Sequence, residues 1–306
     1  MHLIVTGSTG LVGSAATRRL AAAGHRVRRA VRSRPAPGSD DIFWDPAAGV
    51  LDPASLGAVE AAVHLAGESI AGGRWTAQKK ARIRDSRARG TRLLSETLAR
   101  LPKRPRVLVC ASAVGYYGDR GSEVVTERSV PGRGFLAEVC RDWEAASAPA
   151  SAAGIRVVTL RCGVVLSPSG GMLGKLLLPF RLGLGGRVGG GGQYMSWIEL
   201  DDLVRVIEHA LAAESLSGAV NAVAPHPVTN LEFTRTLGRV LARPTIFPLP
   251  AFAARSALGE MADELLLASA RVEPQRLLES GFVFQHPTLE SALRHVLRRS
   301  PNLAAI

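Results

Sequence analysis

Three glycines at three-residue spacing, Gly7, Gly10 and Gly13, constrain this chain more than any other feature. They follow His2-Leu3-Ile4-Val5-Thr6, a short apolar run with β-branched residues that reads as a strand. They lead into Ala15, Ala16, Leu20, Ala21 and Ala22, which read as a helix closed by Gly24. Strand, tight turn and helix in that order suit a diphosphate. Gly7 permits the sharp turn, Gly10 lets backbone N–H groups approach phosphate, and Gly13 lets helix and strand pack closely. The positive end of the helix then faces the anion. The implied ligand is a dinucleotide.

The second strand, His25 to Val31, ends at Arg32-Ser33-Arg34. An NAD site places an acid at that corner for the ribose hydroxyls, and none stands here. A guanidinium there clamps a 2′-phosphate instead, so Arg32, with Ser33, favours NADP(H) over NAD(H). Apolar runs at 42–46, 59–65, 107–111, 155–160 and 193–198 alternate with helical stretches, above all Trp75 to Leu101. This alternation predicts an α/β fold: a Rossmann-type doubly wound parallel sheet of about seven strands. His64 lies inside a strand and reads as a core residue. Residues 1–224 form the expected dinucleotide-binding domain. Residues 225–306 read as a small mixed C-terminal domain on the substrate side, with loops in 167–199 contributing. Within it, Thr229-Asn230-Leu231-Glu232 is a capping box, and helices are expected at 251–259, 260–270, 274–280 and 288–298.

With 306 residues, 46% of them hydrophobic, the chain can bury one large core and a smaller appendage. No apolar run reaches the roughly 18 residues of a membrane span, and the N-terminus lacks a secretory pattern. Cys110, Cys140 and Cys162 show no CxxC or metal-like spacing. They read as free thiols in a reducing compartment, so a cytoplasmic protein without a metal site is expected. The net charge of +12 raises nucleic acid as a partner. Arginine is spread throughout, however, and the basic flank Lys79, Lys80, Arg82, Arg84, Arg87 and Arg89 reads as a solvated helix face. A small-molecule substrate is expected, without nucleic acid or membrane.

Thr6-Gly7-Ser8-Thr9-Gly10-Leu11-Val12-Gly13 resembles the T-G-x-T-G-x-x-G motif of extended short-chain dehydrogenases/reductases. The likeness narrows along the chain. Ala66-Gly67-Glu68, Ser86-Arg87, Ser112-Ala113-Val114-Gly115-Tyr116-Tyr117-Gly118, Trp143-Glu144, Gly163-Val164-Val165-Leu166, Pro179 to Gly186 and Ser196-Trp197-Ile198 resemble an atypical "epimerase family" of that superfamily. Its members end in a small domain of unknown function, and some are labelled cell-division-inhibitor-like. The resemblance implies NADP(H) held by Gly7, Thr9, Gly10, Leu11, Val12 and Gly13. Leu65, Ala66 and Gly67 would line the adenosine side, Arg87 would face the cofactor from its bordering helix, and Val164 would border the nicotinamide. A sugar nucleotide is one implied substrate, and pairing into a homodimer is common in the superfamily.

The superfamily's Tyr-x-x-x-Lys pair is missing. Alignment on Trp143-Glu144 puts Leu136 and Cys140 in those places. Ser112 and Tyr117, with Tyr116 third, are then the proton-donor candidates. Two readings remain: an oxidoreductase or nucleotide-sugar-epimerase-like enzyme, and a catalytically weak cofactor-binding regulator.

Overall fold

Alternate residues of the first strand serve opposite layers: Leu3 and Val5 join one buried apolar cluster and Ile4 another. That strand, β1 (His2–Thr6), lies near the middle of an eight-stranded sheet. The computed structural model describes residues 1–298. The following strands are β2 (Arg26–Val31), β3 (Ile42–Asp45), β4 (Val50–Leu51), β5 (Ala61–His64), β6 (Val107–Ala113) and β7 (Arg156–Cys162). A separate short pair, β8 (Val164–Leu166) and β9 (Trp197–Glu199), precedes the last sheet member, β10 (Gly218–Ala222). The order is β10-β7-β6-β5-β1-β2-β3-β4. Seven of these strands run parallel and β4 alone turns back on β3. The expected doubly wound parallel sheet is present, and its extra edge strand is a two-residue hairpin arm too short to leave a periodic signal.

The helices used below are α1 (Leu11–Ala22), α2 (Ala77–Ala99), α3 (Phe135–Ala145), α4 (Gly171–Arg181), α5 (Leu200–Ala212), α6 (Asn230–Leu241), α7 (Ala251–Leu258) and α8 (Leu289–Arg298). Ala16 and Leu20 of α1 and Leu203, Val206 and Ile207 of α5 cover one face of the sheet. Leu94 and Leu98 of α2 cover the other. Such two-sided burial is why the strands read as continuous apolar runs. The basic flank of α2 is matched by carboxylates: Lys79 to Glu68, Lys80 to Glu260 and Arg84 to Glu138. No helix among the described residues is long and apolar enough to cross a membrane.

A third apolar cluster straddles residue 225. Leu173, Leu177 and Phe180 of α4 and Trp197 of β9 pack with Phe233 and Leu237 of α6 and Leu293 of α8. The Thr229–Glu232 capping box opens α6 as expected. Leu277, Phe282 and Phe284 return to the first cluster, beside Leu203 and Val220. Residues on both sides of position 225 therefore share cores.

Two elements differ from their expected form. The run 193–198 splits at Ser196 into Tyr194–Met195, which pairs with Val228–Thr229, and β9, which pairs with β8. Ser196 holds a corner: its hydroxyl donates to the Ala270 carbonyl and accepts from Val272 N, and its own carbonyl accepts from Val164 N. The stretch 260–270 is helical only at Glu260–Ala262, then widens into a π turn at Asp263–Leu267. Glu264 is drawn there to the start of α3, and Ala268 is already extended.

Candidate functional site

The sheet order reverses at β1, which lies between β5 and β2. A crevice therefore opens at the carboxyl ends of these strands. Gly7 there has φ +67°, and a Cβ on it would stand 2.6 Å from the Leu65 carbonyl carbon. A Cβ on Gly13 would land on the Gly7 carbonyl oxygen. Gly10 N donates to Gly7 O at 3.0 Å and closes the turn. Gly10 also caps α1 without a side-chain bond, and no acid lies in the first turn. Thr9 and Gly10 are exposed, while the Ser8 hydroxyl is buried without a protein partner. Leu11 packs close to the Gly170–Gly171 turn, and Val12 against the first apolar cluster. The result is a glycine cradle with free helix-end amides, shaped for an anion.

The walls follow from the neighbouring strand ends. Arg32 and Ser33 follow β2 directly and are exposed. Arg32 forms no ion pair among the described residues, and its charge helps hold the Glu68 carboxyl below its usual range, behind the larger effect of the Lys79 bond. Leu65, Ala66 and Gly67 leave β5, with Leu65 N and Ala66 N both donating to Thr6 Oγ1. Thr6 Oγ1 also bonds His64 Nδ1 at 2.7 Å. His64 is fully buried, and burial pushes its pKa down to about 4, so it is a neutral core residue. Arg87 lies across Gly67. Its Nη1 donates to the carbonyls of Glu68 and Ile83, and its Cζ stands 4.9 Å from the Trp143 ring centre. Val164 starts β8 beside Gly163, where a Cβ would strike the Ser196 carbonyl.

Beyond these walls lies a cavity of about 560 Å³. Arg87 and Val164 reach it, and so do Leu136, Cys140, Met172, Phe180 and Phe233. Its third side is the π turn, through Glu264 to Leu267. The Glu264 carboxylate accepts from Phe135 N at 3.0 Å and Leu136 N at 3.2 Å.

This arrangement matches known proteins. The pattern of the NAD dependent epimerase/dehydratase family fits residues 3–222. The chain belongs to that family. A second pattern, a domain of unknown function (DUF1731), fits residues 249–296, the segment that carries Glu264. Epimerase family protein Mb2239 of Mycobacterium bovis is 48% identical over 295 residues, covering 96% of this chain and 97% of its own. The crystal structure of human epimerase family protein SDR39U1 (isoform2) with NADPH superposes with a TM-score of 0.89 at 36% identity, covering 98% of this chain and all of that one. A nucleoside-diphosphate sugar epimerase from Corynebacterium glutamicum gives 0.80 at 40% identity, over 97% of this chain and 58% of its own.

Within this epimerase/dehydratase frame the expected proton donors are engaged elsewhere. Tyr117 is fully buried and does not line the cavity. Its hydroxyl donates to Asn221 Oδ1 at 2.7 Å and accepts from Arg161 Nη1 at 3.0 Å. Burial pushes its pKa up to about 12, against the pull of Arg161. The Tyr117 hydroxyl is thus directed to Asn221 rather than toward the cavity. Ser112, also buried, donates to Glu144 Oε1 at 2.7 Å, and Glu144 grips Arg161 with both oxygens. Tyr116 lies flat on the Arg161 guanidinium, 3.4 Å from Cζ to ring centre. Ser112, Glu144, Arg161, Tyr116, Tyr117 and Asn221 form one connected network, with Tyr116 and Glu144 half-buried and the other four buried.

At the tyrosine and lysine places stand Leu136 and Cys140, and both line the cavity. Burial pushes the Cys140 thiol up to about 11, so it is neither a cation nor a ready nucleophile. Glu264 is among the cavity residues that sequence reasoning missed. Its stretch read as an ordinary helix, and nothing local tied it to α3.

Proposed function

We propose that the chain is an NADP(H)-dependent oxidoreductase acting on a small carbonyl or alcohol substrate. One observation carries the cofactor half: an uncapped α1 behind the Gly7–Gly13 cradle, with an unpaired Arg32 where an acid would mark NAD. The NADPH in the human relative's structure supports the same cofactor. In this reading Gly7, Thr9, Gly10, Leu11, Val12 and Gly13 hold the diphosphate, with the buried Ser8 hydroxyl as a further donor. Arg32 and Ser33 take the 2′-phosphate. Leu65, Ala66 and Gly67 flank the adenosine ribose, Arg87 faces the cofactor across Gly67, and Val164 borders the nicotinamide end.

The bound cofactor supplies or accepts hydride. The protein must then exchange one proton with the substrate oxygen and keep bulk water away. Met172, Phe180 and Phe233 exclude water. We assign the proton exchange to Glu264, whose carboxylate sits in the cavity at the backbone of Leu136, the residue in the tyrosine's place. Its two backbone N–H bonds fix the carboxylate beside the substrate space, where it can take a proton in the oxidation direction. Arg87, Arg133, Arg255, Asn230 and Thr234 add polar groups to the apolar lining.

The regulator reading draws on Leu136 and Cys140, which can supply neither the usual phenol nor its ammonium. Loss of reduced-nicotinamide absorbance across a panel of carbonyl compounds and sugar nucleotides tests the proposal. Turnover of a carbonyl supports it. Tight NADPH binding with no turnover on any of them favours the regulator.

A further inference from the structure

Large apolar side chains crowd one outer face of the molecule. Leu178 lies on α4 and Leu182 caps that helix one turn later, both exposed, while Leu173, Leu177 and Phe180 of α4 are buried. Leu184 follows in the next loop. Ile246, Phe247 and Leu249 lie in the segment before α7, and Phe252 lies in its first turn. All of the exposed ones in these two segments are between 40% and 72% exposed.

Backbone contacts hold the segments side by side. Arg243 Nε donates to Arg181 O at 2.7 Å, Phe247 N to Gly185 O at 3.2 Å and Leu249 N to Arg187 O at 2.8 Å. A Cβ on Gly183 would lie 3.5 Å from Pro244 Cγ. The exposed side chains are therefore neighbours. Single exposed leucines are ordinary, but a contiguous apolar face marks a contact site. We propose that this face docks on an anionic lipid bilayer, its apolar side chains among the headgroups and its flanking cations on lipid phosphates.

The charge around the face identifies the partner. Residues 168–198 and 233–259 contain no aspartate or glutamate. Lys175, Arg181, Arg187 and Arg243 flank the apolar residues, and none of the four has an ion-pair partner among the described residues. Lys175 and Arg243 donate only to backbone carbonyls. Other surface arginines are matched, as in Arg19–Glu208, Arg26–Asp40 and, at the border of this face, Arg255–Asp263. The unmatched cations are thus a local feature rather than a reflection of the overall charge. A second copy of the chain would set them against one another across a two-fold axis. A bilayer takes protruding side chains without a shape-matched groove, and its anionic headgroups attract each cation near the surface. The arginine and lysine stems can lie along the apolar residues while their heads reach phosphate. Such a surface contact needs no spanning segment. Phe180, Gly186 and Val188, from the first of the two segments, also line the cavity. Docking would set that cavity beside the bilayer, whatever reaction it hosts.

The test is co-sedimentation of the full chain with vesicles of phosphatidylcholine alone and of phosphatidylcholine mixed with phosphatidylglycerol. The anionic vesicles should bind at least about tenfold more tightly, and added salt should weaken that binding. Leu182→Ser/Phe247→Ser/Phe252→Ser and, separately, Arg181→Gln/Arg187→Gln should each lower it by at least about tenfold, with unchanged circular dichroism and melting temperature. Phe247→Trp should gain fluorescence that bromine-labelled lipid quenches, which reports insertion rather than attraction at a distance. No preference for anionic vesicles overturns the proposal, as does full binding by the apolar triple variant or an unquenched Phe247→Trp. Sedimentation velocity showing a dimer that the triple variant loses, with vesicles left unbound, would assign the face to a second copy instead.

Discussion

Glu264 and Leu136 are joined at 3.2 Å, carboxylate to backbone N–H, across 128 positions of sequence. The link docks the π turn onto the first turn of α3. It brings a titratable group beside the place where the superfamily's tyrosine would stand.

If Glu264 exchanges the substrate proton, Glu264→Gln should lower kcat by about a hundredfold, the low end of what a positioned acid or base contributes. NADPH affinity should stay within about twofold. A variant with unchanged kcat would remove Glu264 from the chemistry.

Tyr117→Phe tests the opposite assignment. It removes a donor from Asn221 Oδ1 and an acceptor from Arg161, both buried. Orphaned partners of this kind cost about 1–3 kcal/mol. Urea unfolding should show that loss, while the hydride-transfer rate stays within about twofold. A large drop in rate with unchanged stability would restore Tyr117 as a proton donor.

His64 gives a pH dependence. Its pKa falls from 6.5 when unfolded to about 4 when folded, because burial opposes the charged ring. The unfolded chain therefore binds more protons between those values, and the folded state loses stability as pH drops through that window. The loss reaches roughly 3 kcal/mol near pH 4. Unfolding measured from pH 7 to pH 4 should show a shallower slope for His64→Gln than for the wild type. Equal slopes would mean that His64 does not titrate with folding.

Gly13→Ala would drive a methyl group into the Gly7 carbonyl, so the phosphate turn must move. NADPH affinity should fall by at least tenfold, about 1.4 kcal/mol. Gly192→Ala meets nothing within 4 Å and serves as the control. Comparable losses in both variants would contradict the cradle.

Features set by neighbouring residues could be read directly from the chain. Gly7, Gly10 and Gly13 announce strand, turn and helix within a dozen positions, and two-faced burial of β1, β5, β6 and β7 leaves unbroken apolar runs. The Thr229–Glu232 cap was equally local. The direction of Tyr117 was not, because β6 ends at Ala113 and a 3₁₀ turn, Val114–Tyr117, replaces strand alternation. The fates of Ser196 and Glu264 depend on Ala270, Val272 and Phe135, partners far along the chain. No local pattern encodes such contacts.

The central claim is that Arg32 reads the 2′-phosphate of NADP(H) at the end of β2. Titration of the wild type and of Arg32→Ala with NADPH and with NADH measures it directly. A charged hydrogen bond contributes about 1.5–3 kcal/mol, so Arg32→Ala should weaken NADPH by at least about tenfold and change NADH by less than about twofold. Equal losses for the two cofactors, or no loss for NADPH, would contradict the account.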